Sequence, residues 1–255
     1  MSCDALVLSA IRGLTPYQTG KPIDELQREL GLTQVSKLAS NENPIGCSFD
    51  VVNACQGVLE DMARYPDGAG FALKKAISEY FSIDASGLVL GNGSNDVLEL
   101  IGRTFAGAGD EVIFSQYAFA VYAITVQAIG ATAVVVPAKD YAHDLMAMAS
   151  AVTDKTKLIY LANPNNPTGT CFGQAEWDAF MAKVPSRVMV VLDEAYTEYV
   201  TQADYADGLK ELSKYDNLIV TRTFSKAYGL AGFRLGFAAC TPEVAGYIKI
   251  GRAHV

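Results

Sequence analysis

Short apolar runs alternate with longer segments of helical periodicity along most of the chain. Most runs are apolar throughout, as expected for strands that are buried on both faces of a parallel sheet. The pattern predicts an α/β fold, with a mostly parallel sheet and helices on both faces. The predicted strands are residues 88–90, 111–114, 132–136, 158–162, 187–192 and 217–221, and the predicted helices include 94–105, 119–128, 174–182 and 207–215.

The first fifty residues have a different pattern. Prolines and glycines interrupt them repeatedly, and only one short helical pattern is present, at residues 24–30. Such punctuation is typical of turns and loops. We therefore predict an N-terminal arm, residues 1–31, followed by a large domain, residues 32–249.

Composition narrows the class of protein. Of the 255 residues, 50% are hydrophobic and 19% are charged, so a large conventional core is possible. The net charge of −8 argues against binding to nucleic acid or to anionic membranes. No leader pattern opens the sequence, and no stretch stays apolar long enough to cross a bilayer. We expect a cytoplasmic protein that acts on small molecules, without nucleic-acid or membrane partners.

Cysteines and histidines give no sign of a metal site. The five cysteines form no CxxC pair, and the two histidines, His143 and His254, lie far apart without ligand-like neighbours. Disulfide frameworks and zinc sites have recognisable spacings that are missing here. The sequence predicts neither.

The polar residues that follow strands are the first candidates for a site, because open α/β sheets bind ligands outside the carboxyl ends of their strands. The first predicted strand is followed by GNGSND, residues 91–96. Glycines let backbone N–H groups approach an anion, and a helix N-terminus favours negative charge. The segment is a candidate phosphate cradle. The alternative is a glycine-rich turn in which Ser94 or Asn95 caps the next helix.

Two further strands end in polar segments. Residues 163–169, NPNNPTG, follow strand 158–162, and taken alone they also fit an ordinary turn. Asp193 follows strand 187–192, where an unpaired buried charge would be costly and needs a cation. A protonated pyridine nitrogen would supply that cation and would make the ring an electron sink. The alternative role of Asp193 is a helix N-cap.

The last predicted strand is followed by RTFSKAYGLAGFR, residues 222–234. Hydroxyl groups and Lys226 cluster in this segment. A lysine that is partly shielded from water can shift its pKa and form Schiff bases. An ordinary surface lysine is the alternative, but the Ser-Lys pair, the small residues and Arg234 eight positions later make a more specific combination.

In this order the motifs resemble those of fold-type I pyridoxal-phosphate aminotransferases. The particular residues within each motif resemble those of the histidinol-phosphate aminotransferase family. The resemblance covers nearly the whole chain. Each motif is weak alone, but their joint occurrence in family order is specific. The strings are LTPYQTGKP (14–22), LASNENPIG (38–46), RYPDGAG (64–70), GNGSNDVLEL (91–100), NPNNPTGT (163–170), LDEAYTEY (192–199) and TFSKAYGLAGFRLGF (223–237).

The resemblance implies that pyridoxal 5'-phosphate is the cofactor and that Lys226 holds it as a Schiff base and moves the substrate proton. It implies that Asp193 pairs with the protonated ring nitrogen, while Asn166 and Tyr196 donate hydrogen bonds to the ring hydroxyl oxygen. Lys226, Asp193 and Tyr196 are thus the expected catalytic residues. The residues expected to hold the cofactor phosphate are Ser94, Asn95, Asp96, Thr223, Ser225 and Arg234, the last as a planar charged clamp.

Other positions carry roles around the ring and the substrate. In the segment 117–122 we favour Phe119 over Tyr117 as the aromatic that stacks on the cofactor; the alternative is that these aromatics only fill a helix face. The resemblance places Tyr17 and Asn43 near the substrate, although Tyr17 could equally anchor the arm. It also implies that Tyr65 reaches the cofactor phosphate of a neighbouring subunit, so we expect a homodimer.

The activity that the resemblance implies is transfer of an amino group between L-histidinol phosphate and 2-oxoglutarate. An aromatic amino-acid aminotransferase, or a decarboxylase of a phosphorylated amino acid, would use the same cofactor residues, so both stay open. A ligand-sensing module of a transcription regulator would need a basic helix-turn-helix segment before the domain, and the arm has no room for one.

The family continues after the large domain into a small domain that carries substrate-binding arginines, and this sequence does not contain it. The last six residues, 250–255, match the translation of a common sequencing-library adapter. We expect a reading frame that ends before the small domain and carries an artificial tail. A natural or cloned terminus is the alternative.

Overall fold

In the part of the chain that the structure describes, seven strands form one sheet in the order β1-β7-β6-β5-β4-β2-β3. The structure is a computed structural model and describes residues 6–17, 20–61 and 63–250. In chain order the strands are β1 (Leu88–Asn92), β2 (Glu111–Ser115), β3 (Thr132–Val136), β4 (Thr156–Ala162), β5 (Met189–Asp193), β6 (Leu218–Thr223) and β7 (Leu235–Ala239). The strands β3, β2, β4, β5 and β6 pair in parallel, and β7 runs antiparallel to both β6 and β1.

The α-helices of the described residues are α1 (Ser9–Arg12), α2 (Ile23–Leu30), α3 (Phe49–Val58), α4 (Phe71–Phe81), α5 (Ser94–Phe105), α6 (Ala120–Ala128), α7 (Leu145–Ser150), α8 (Gln174–Met181), α9 (Gly208–Glu211) and α10 (Pro242–Ile250). Those from α4 onward lie on the two faces of the sheet. No helix in the described ranges is long and apolar enough to cross a membrane.

The apolar core divides into two layers, one on each side of the sheet. Helices α4, α7, α8 and α9 cover one face, and Trp177 and Phe180 of α8 are fully buried there. Helices α5, α6 and α10 cover the other face, where Val97, Ile101 and Ile248 are fully buried. This arrangement confirms the predicted α/β class with a mostly parallel sheet and helices on both faces.

The predicted strands are all present, but the sequence pattern did not predict β7. Its sequence, LGFAA, is short, contains a glycine and follows a loop of similar composition, so its apolar run is not distinctive. Helix α4 was not predicted either, because most of its length is exposed and Ile77 is its one buried residue. The predicted helix 207–215 is shorter, since helical structure ends at Glu211 and turns follow.

The prediction of a single helix in the first fifty residues was wrong. Helix α1 is a single turn without a helical sequence signal, and it forms where the arm packs against α6. Helix α3 starts at Phe49 behind Ser48, whose side chain accepts a hydrogen bond from the Asp50 amide. At the other end of the chain, α10 ends at Ile250. The rest of the predicted tail 250–255 lies outside the described residues, as do residues 1–5.

Strand direction brings distant parts of the chain to one edge of the sheet. The ends of β4, β5 and β6 lie side by side there, because Asp193 is in register with both Ala162 and Thr221. Since β7 runs the opposite way, it begins at this edge, with Leu235 opposite Asn92, the last residue of β1. The edge therefore collects the segments that follow β1, β4, β5 and β6 and the segment that precedes β7.

The junction between β1 and β7 depends on the absence of a side chain at Gly87. A Cβ atom there would lie 2.0 Å from the Cys240 carbonyl oxygen, a backbone atom at the end of β7. We expect Gly87→Ala to destabilise the fold by about 1–3 kcal/mol, the usual cost of overpacking. Chemical denaturation, followed by the unfolding midpoint, measures this.

The matched control for Gly87 is Gly246→Ala in α10. A Cβ at Gly246 meets nothing within 4 Å, and alanine is a better helix former, so this change should leave the midpoint unchanged or raise it. Equal midpoints for the two variants would contradict the packing argument.

Candidate active site

Lys226 lies at the carboxyl edge of the sheet, in the loop between β6 and β7. Its Nζ donates a hydrogen bond to the Ser40 carbonyl oxygen at 3.1 Å and sits 5.5 Å from the centroid of the Tyr196 ring. Burial lowers the pKa of Lys226, and the positive charge of Arg234 adds to the effect, while Glu42 and Asp193 oppose it. The neutral, nucleophilic amine is thus populated at lower pH than in an exposed lysine.

The loop of residues 38–46 packs directly on residues 224–234, the loop between β6 and β7 that carries Lys226 and is called the lysine loop below. Gly229 has a φ of +69°, and a Cβ atom there would lie 2.3 Å from the Gly46 carbonyl oxygen. Asn43 donates a hydrogen bond from Nδ2 to the Ala227 carbonyl oxygen at 2.9 Å. Asn43, expected near the substrate, therefore also fixes the backbone next to Lys226.

Tyr196 is held from the same loop. The Nδ2 group of Asn41 donates to the Tyr196 hydroxyl at 3.0 Å, and burial raises the pKa of this tyrosine. Asn41, Asn166 and Tyr196 line a cavity of about 460 Å³, so the structure brings the two predicted ring-hydroxyl donors together. A cavity of about 670 Å³ elsewhere in the described chain, beside α4 and α9, contains none of the predicted site residues.

Asp193 is buried at the end of β5 and accepts two hydroxyl hydrogen bonds. The Tyr122 hydroxyl donates to one carboxylate oxygen at 2.9 Å, and Thr221 Oγ1 donates to the other at 3.0 Å. Burial raises the pKa of Asp193, while these hydrogen bonds and the charge of Lys226 oppose that rise. The carboxylate is therefore aimed by neutral donors, not by a salt bridge.

The predicted phosphate cradle assembles around the start of α5. No side-chain hydrogen bond caps this helix, so the first-turn N–H groups are free to meet an anion. Gly93 has a φ of +85°, and a Cβ atom there would lie 2.3 Å from Nη2 of Arg234. A Cβ atom at Gly236 would lie 2.5 Å from the backbone nitrogen of Ser94. The two glycines thus let Arg234 approach Gly93 and let β7 approach the backbone of Ser94 at the start of α5.

Hydroxyl groups complete one side of the cradle. Ser225 and Thr223 are buried, and the Thr223 hydroxyl donates to Ser225 Oγ at 3.0 Å. Asp96 has a structural contact in the same region, because its carboxylate accepts a hydrogen bond from the Asn92 backbone nitrogen at 2.9 Å. Asp96 thereby holds the loop between β1 and α5 in place.

The aromatic residues of the arm and of α6 meet at Phe119. Its ring lies 6.0 Å from the Tyr17 ring and 6.0 Å from the Tyr122 ring, both in edge-to-face geometry. Tyr117 instead lies beside Tyr141, with ring centroids 5.4 Å apart. The predicted stacking residue and the predicted substrate residue Tyr17 are therefore in contact.

Tyr65 is separate from this assembly. Its side chain is 87% exposed, and within the described residues no hydrogen bond or ring contact joins it to another predicted site residue. Nor does any group of three or more His, Cys, Asp or Glu residues in the described ranges form a possible metal site.

Sequence reasoning missed Asn41, Tyr122 and Thr221. The first lies inside the quoted string LASNENPIG, so the segment was identified but not the residue. Tyr122 and Thr221 lie in a helix and a strand whose apolar patterns explain them as core residues. Only their contacts with Asp193 reveal a second role.

Comparison with known proteins agrees with this geometry. The sequence profile of "Aminotransferase class I and II" matches residues 33–255. Histidinol-phosphate aminotransferase 2 of Hydrogenovibrio crunogenus is 59% identical over 98% of this chain and 67% of its own length. Histidinol-phosphate aminotransferase 1 of Mannheimia succiniciproducens is 54% identical over 93% of this chain and 65% of its own length.

A solved structure is also similar. The histidinol-phosphate aminotransferase of Sinorhizobium meliloti, in complex with pyridoxal-5'-phosphate, superposes with a TM-score of 0.88 at 30% identity, covering 97% of this chain and 66% of that one. The chain thus spans about two thirds of the length of the relatives it matches. From the profile, the relatives and the fold together, we conclude that the chain belongs to the class I and II aminotransferases.

Proposed function

We propose that the protein is a pyridoxal-phosphate-dependent aminotransferase that acts on L-histidinol phosphate and 2-oxoglutarate. The observation that carries the proposal is the meeting of a half-buried lysine, a buried carboxylate and an uncapped helix N-terminus with an arginine at one edge of the sheet. The identity to named histidinol-phosphate aminotransferases supports the choice of substrate.

The donor set at the start of α5 fits a phosphate group. A phosphate needs several N–H and O–H donors and positive charge, which the free amides of α5, Ser225 and Arg234 provide. No carboxylate of the described residues lies within salt-bridge distance of Arg234, so its charge is available to a ligand. The residues at the start of α5 therefore match a phosphate group in both their charge and their hydrogen-bond donors.

Lys226 is the residue that we assign to covalent attachment and to proton transfer. Its lowered pKa keeps a fraction of the amine neutral, which both roles require. When bound, the cofactor supplies an electron sink for the substrate carbon. Nζ of Lys226 takes up and returns the substrate proton, and the loop 38–46 covers it from one side.

Two polar groups of the cofactor ring have assigned partners. We assign Asp193 to the ring nitrogen, and Asn166 and Tyr196 to the ring hydroxyl oxygen. Asp193 offers a buried negative charge to a protonated ring nitrogen, whose positive charge compensates the cost of burial. Asn166 and Tyr196 line one cavity, and they would donate hydrogen bonds to the ring hydroxyl oxygen. Phe119 would stack on the ring, with Tyr17 and Asn43 on the substrate side.

The alternative activities use the same cofactor residues. An aromatic amino-acid aminotransferase would differ in the groups that recognise the side chain of the donor. A decarboxylase of a phosphorylated amino acid would differ in which substrate bond stands perpendicular to the ring. Neither choice depends on Lys226, Asp193 or Arg234, so a substrate assay has to separate them. A cytoplasmic location stays a prediction from the sequence.

We further propose that the protein works as a homodimer. In the single chain, several large apolar side chains of residues 38–71 are exposed to water. Exposed apolar surface of this kind typically marks an interface that a partner covers. The most exposed of them are Leu38, Ile45, Phe49, Tyr65 and Phe71. In a two-fold dimer the same residue enters both sites, so Tyr65 of each subunit would bind the phosphate in the other.

The attachment site is tested by borohydride reduction of the holoprotein and peptide mapping. We expect the cofactor label on Lys226, and we expect Lys226→Ala to abolish both the label and the yellow colour. Lys75→Ala, at an exposed lysine that pairs with Glu79, is the control and should label normally. A label on Lys37 or on any other lysine would overturn the assignment.

Substrate choice is tested by steady-state kinetics of the full-length protein. With 2-oxoglutarate as acceptor, kcat/KM for L-histidinol phosphate should exceed that for phenylalanine by at least about 100-fold. The reason is that a site built to bind a charged group rejects analogues that lack it. A higher kcat/KM for phenylalanine would favour the aromatic aminotransferase, and release of carbon dioxide from a phosphorylated amino acid would favour the decarboxylase.

The dimer is tested by mixing Tyr65→Phe with Lys226→Ala and allowing subunit exchange. Each heterodimer would contain one site with an intact lysine and an intact tyrosine from the partner. At a cofactor concentration that leaves Tyr65→Phe poorly loaded, activity should rise toward about a quarter of the wild-type value, since about half the dimers carry one intact site of two. The same mixture before exchange is the control. Mixtures that contain heterodimer by mass spectrometry but gain no activity would place Tyr65 elsewhere.

A further inference from the structure

Two adjacent buried carboxylates at the end of β5 have different partners. Glu194 is fully buried and pairs with Arg222, whose Nε and Nη2 groups donate to the same carboxylate oxygen at 2.9 and 2.7 Å. Asp193 is also buried, but no Lys, Arg or His nitrogen of the described residues lies within salt-bridge distance of it. The charge of Glu194 is therefore compensated inside the protein, and the charge of Asp193 is not.

Tyr122 donates to Asp193 from a rigid position. The tyrosine is fully buried in α6, and its ring stacks on Tyr160 with a centroid distance of 4.7 Å and an interplanar angle of 5°. The Tyr160 hydroxyl points to a different acceptor, the Leu98 carbonyl oxygen, at 2.8 Å. The stack thus holds two similar tyrosines, of which only Tyr122 contacts the carboxylate.

Thr221 donates to Asp193 from the other side. The two residues are in register on β6 and β5, and Thr221 Oγ1 reaches the carboxylate oxygen that Tyr122 does not use. The backbone N–H of Ala195 is a third neutral donor to Asp193. A carboxylate can accept about four hydrogen bonds, so these donors still leave it with free acceptor capacity. Neutral donors favour the ionised form without cancelling its charge.

We propose that Tyr122 and Thr221 are positioning residues that keep Asp193 ionised and oriented for the cationic ring nitrogen of the cofactor. This inference rests on the proposed function. A lysine or arginine in their place would hold the carboxylate equally well, but it would compete with the ring nitrogen for the same negative charge. Two hydroxyl groups supply orientation and leave the charge for the ligand.

The electrostatic surroundings agree with this role. Burial raises the pKa of Asp193, and the hydrogen bonds from Tyr122 and Thr221 are the largest influences that lower it. The other titratable groups that influence Asp193 or Tyr122 are Lys226 after β6, Tyr196 after β5 and Tyr160 on β4. Of these, Lys226 also favours the ionised form of Asp193.

The test compares Tyr122→Phe with Tyr160→Phe, a matched pair in one aromatic stack. Both changes keep the rings, and only the first removes a donor from Asp193. We would follow the Asp193 carboxyl carbon by ¹³C NMR as a function of pH in the cofactor-free protein, with Asp193→Asn to identify the signal. Since a hydrogen bond to an ionised group favours the charged form, losing it should raise the titration midpoint by about one pH unit in Tyr122→Phe. Tyr160→Phe should titrate like the wild type.

Kinetics of the holoprotein supply the second readout. Tyr122→Phe should lower kcat about tenfold with little change in KM for the amino donor, because the contact to Asp193 supports the ring and not donor binding. Thr221→Val removes the donor to the other oxygen and should act in the same direction in both measurements. It keeps the proposal testable if Tyr122→Phe does not fold.

Three results would overturn the inference. The first is an unchanged midpoint in both Tyr122→Phe and Thr221→Val, and the second is an equal shift in Tyr160→Phe, which would point to packing. The third is a shifted midpoint with unchanged kcat. Failure of the proposed function is a separate outcome, because it would appear as the absence of a cofactor label on Lys226 in the wild-type protein.

Discussion

The placement of β7 between β6 and β1, antiparallel to both, is the constraint on which the candidate site depends. A parallel strand in that place would require a crossover, which would carry the chain away to the opposite edge of the sheet. Because β7 runs the other way, the chain leaves β6, forms the loop with Lys226 and re-enters the sheet at the same edge. Lys226 and Arg234 therefore stay beside the start of α5, where glycines allow backbone and guanidinium groups to approach closely.

The charges at this edge are divided between structure and ligand. Glu194 and Arg222 compensate each other inside the protein, and Asp207 also accepts from Arg222 at 2.9 Å. Asp193, Lys226 and Arg234 have no such pairing among the described residues. Asp193 is buried, and burying an uncompensated charge is costly unless a ligand supplies the opposite charge. The cationic ring nitrogen of the cofactor would meet that requirement at Asp193, and its anionic phosphate would meet the exposed Arg234.

The loop 38–46 connects this chemistry with the exposed surface. Its polar side contacts the lysine loop and Tyr196, through Ser40, Asn41 and Asn43. Its apolar side chains, Leu38 and Ile45, are more than 90% exposed. A surface that covered these side chains would also hold the loop against Lys226. Assembly and site geometry are thus coupled through a single segment in the proposed dimer.

The sequence by itself determined the α/β class, the positions of six strands and the identity of the residues that follow them, because apolar runs and turn-forming segments are local signals. It also identified the family, since several specific motifs occur in a fixed order. It did not determine β7 or α4, whose local patterns are weak. Only the tertiary structure decided which oxygen each donor reaches. Tyr122 and Thr221 are separated from Asp193 by 71 and 28 residues, and they look like ordinary core positions until the sheet register and the packing of α6 bring them to the carboxylate.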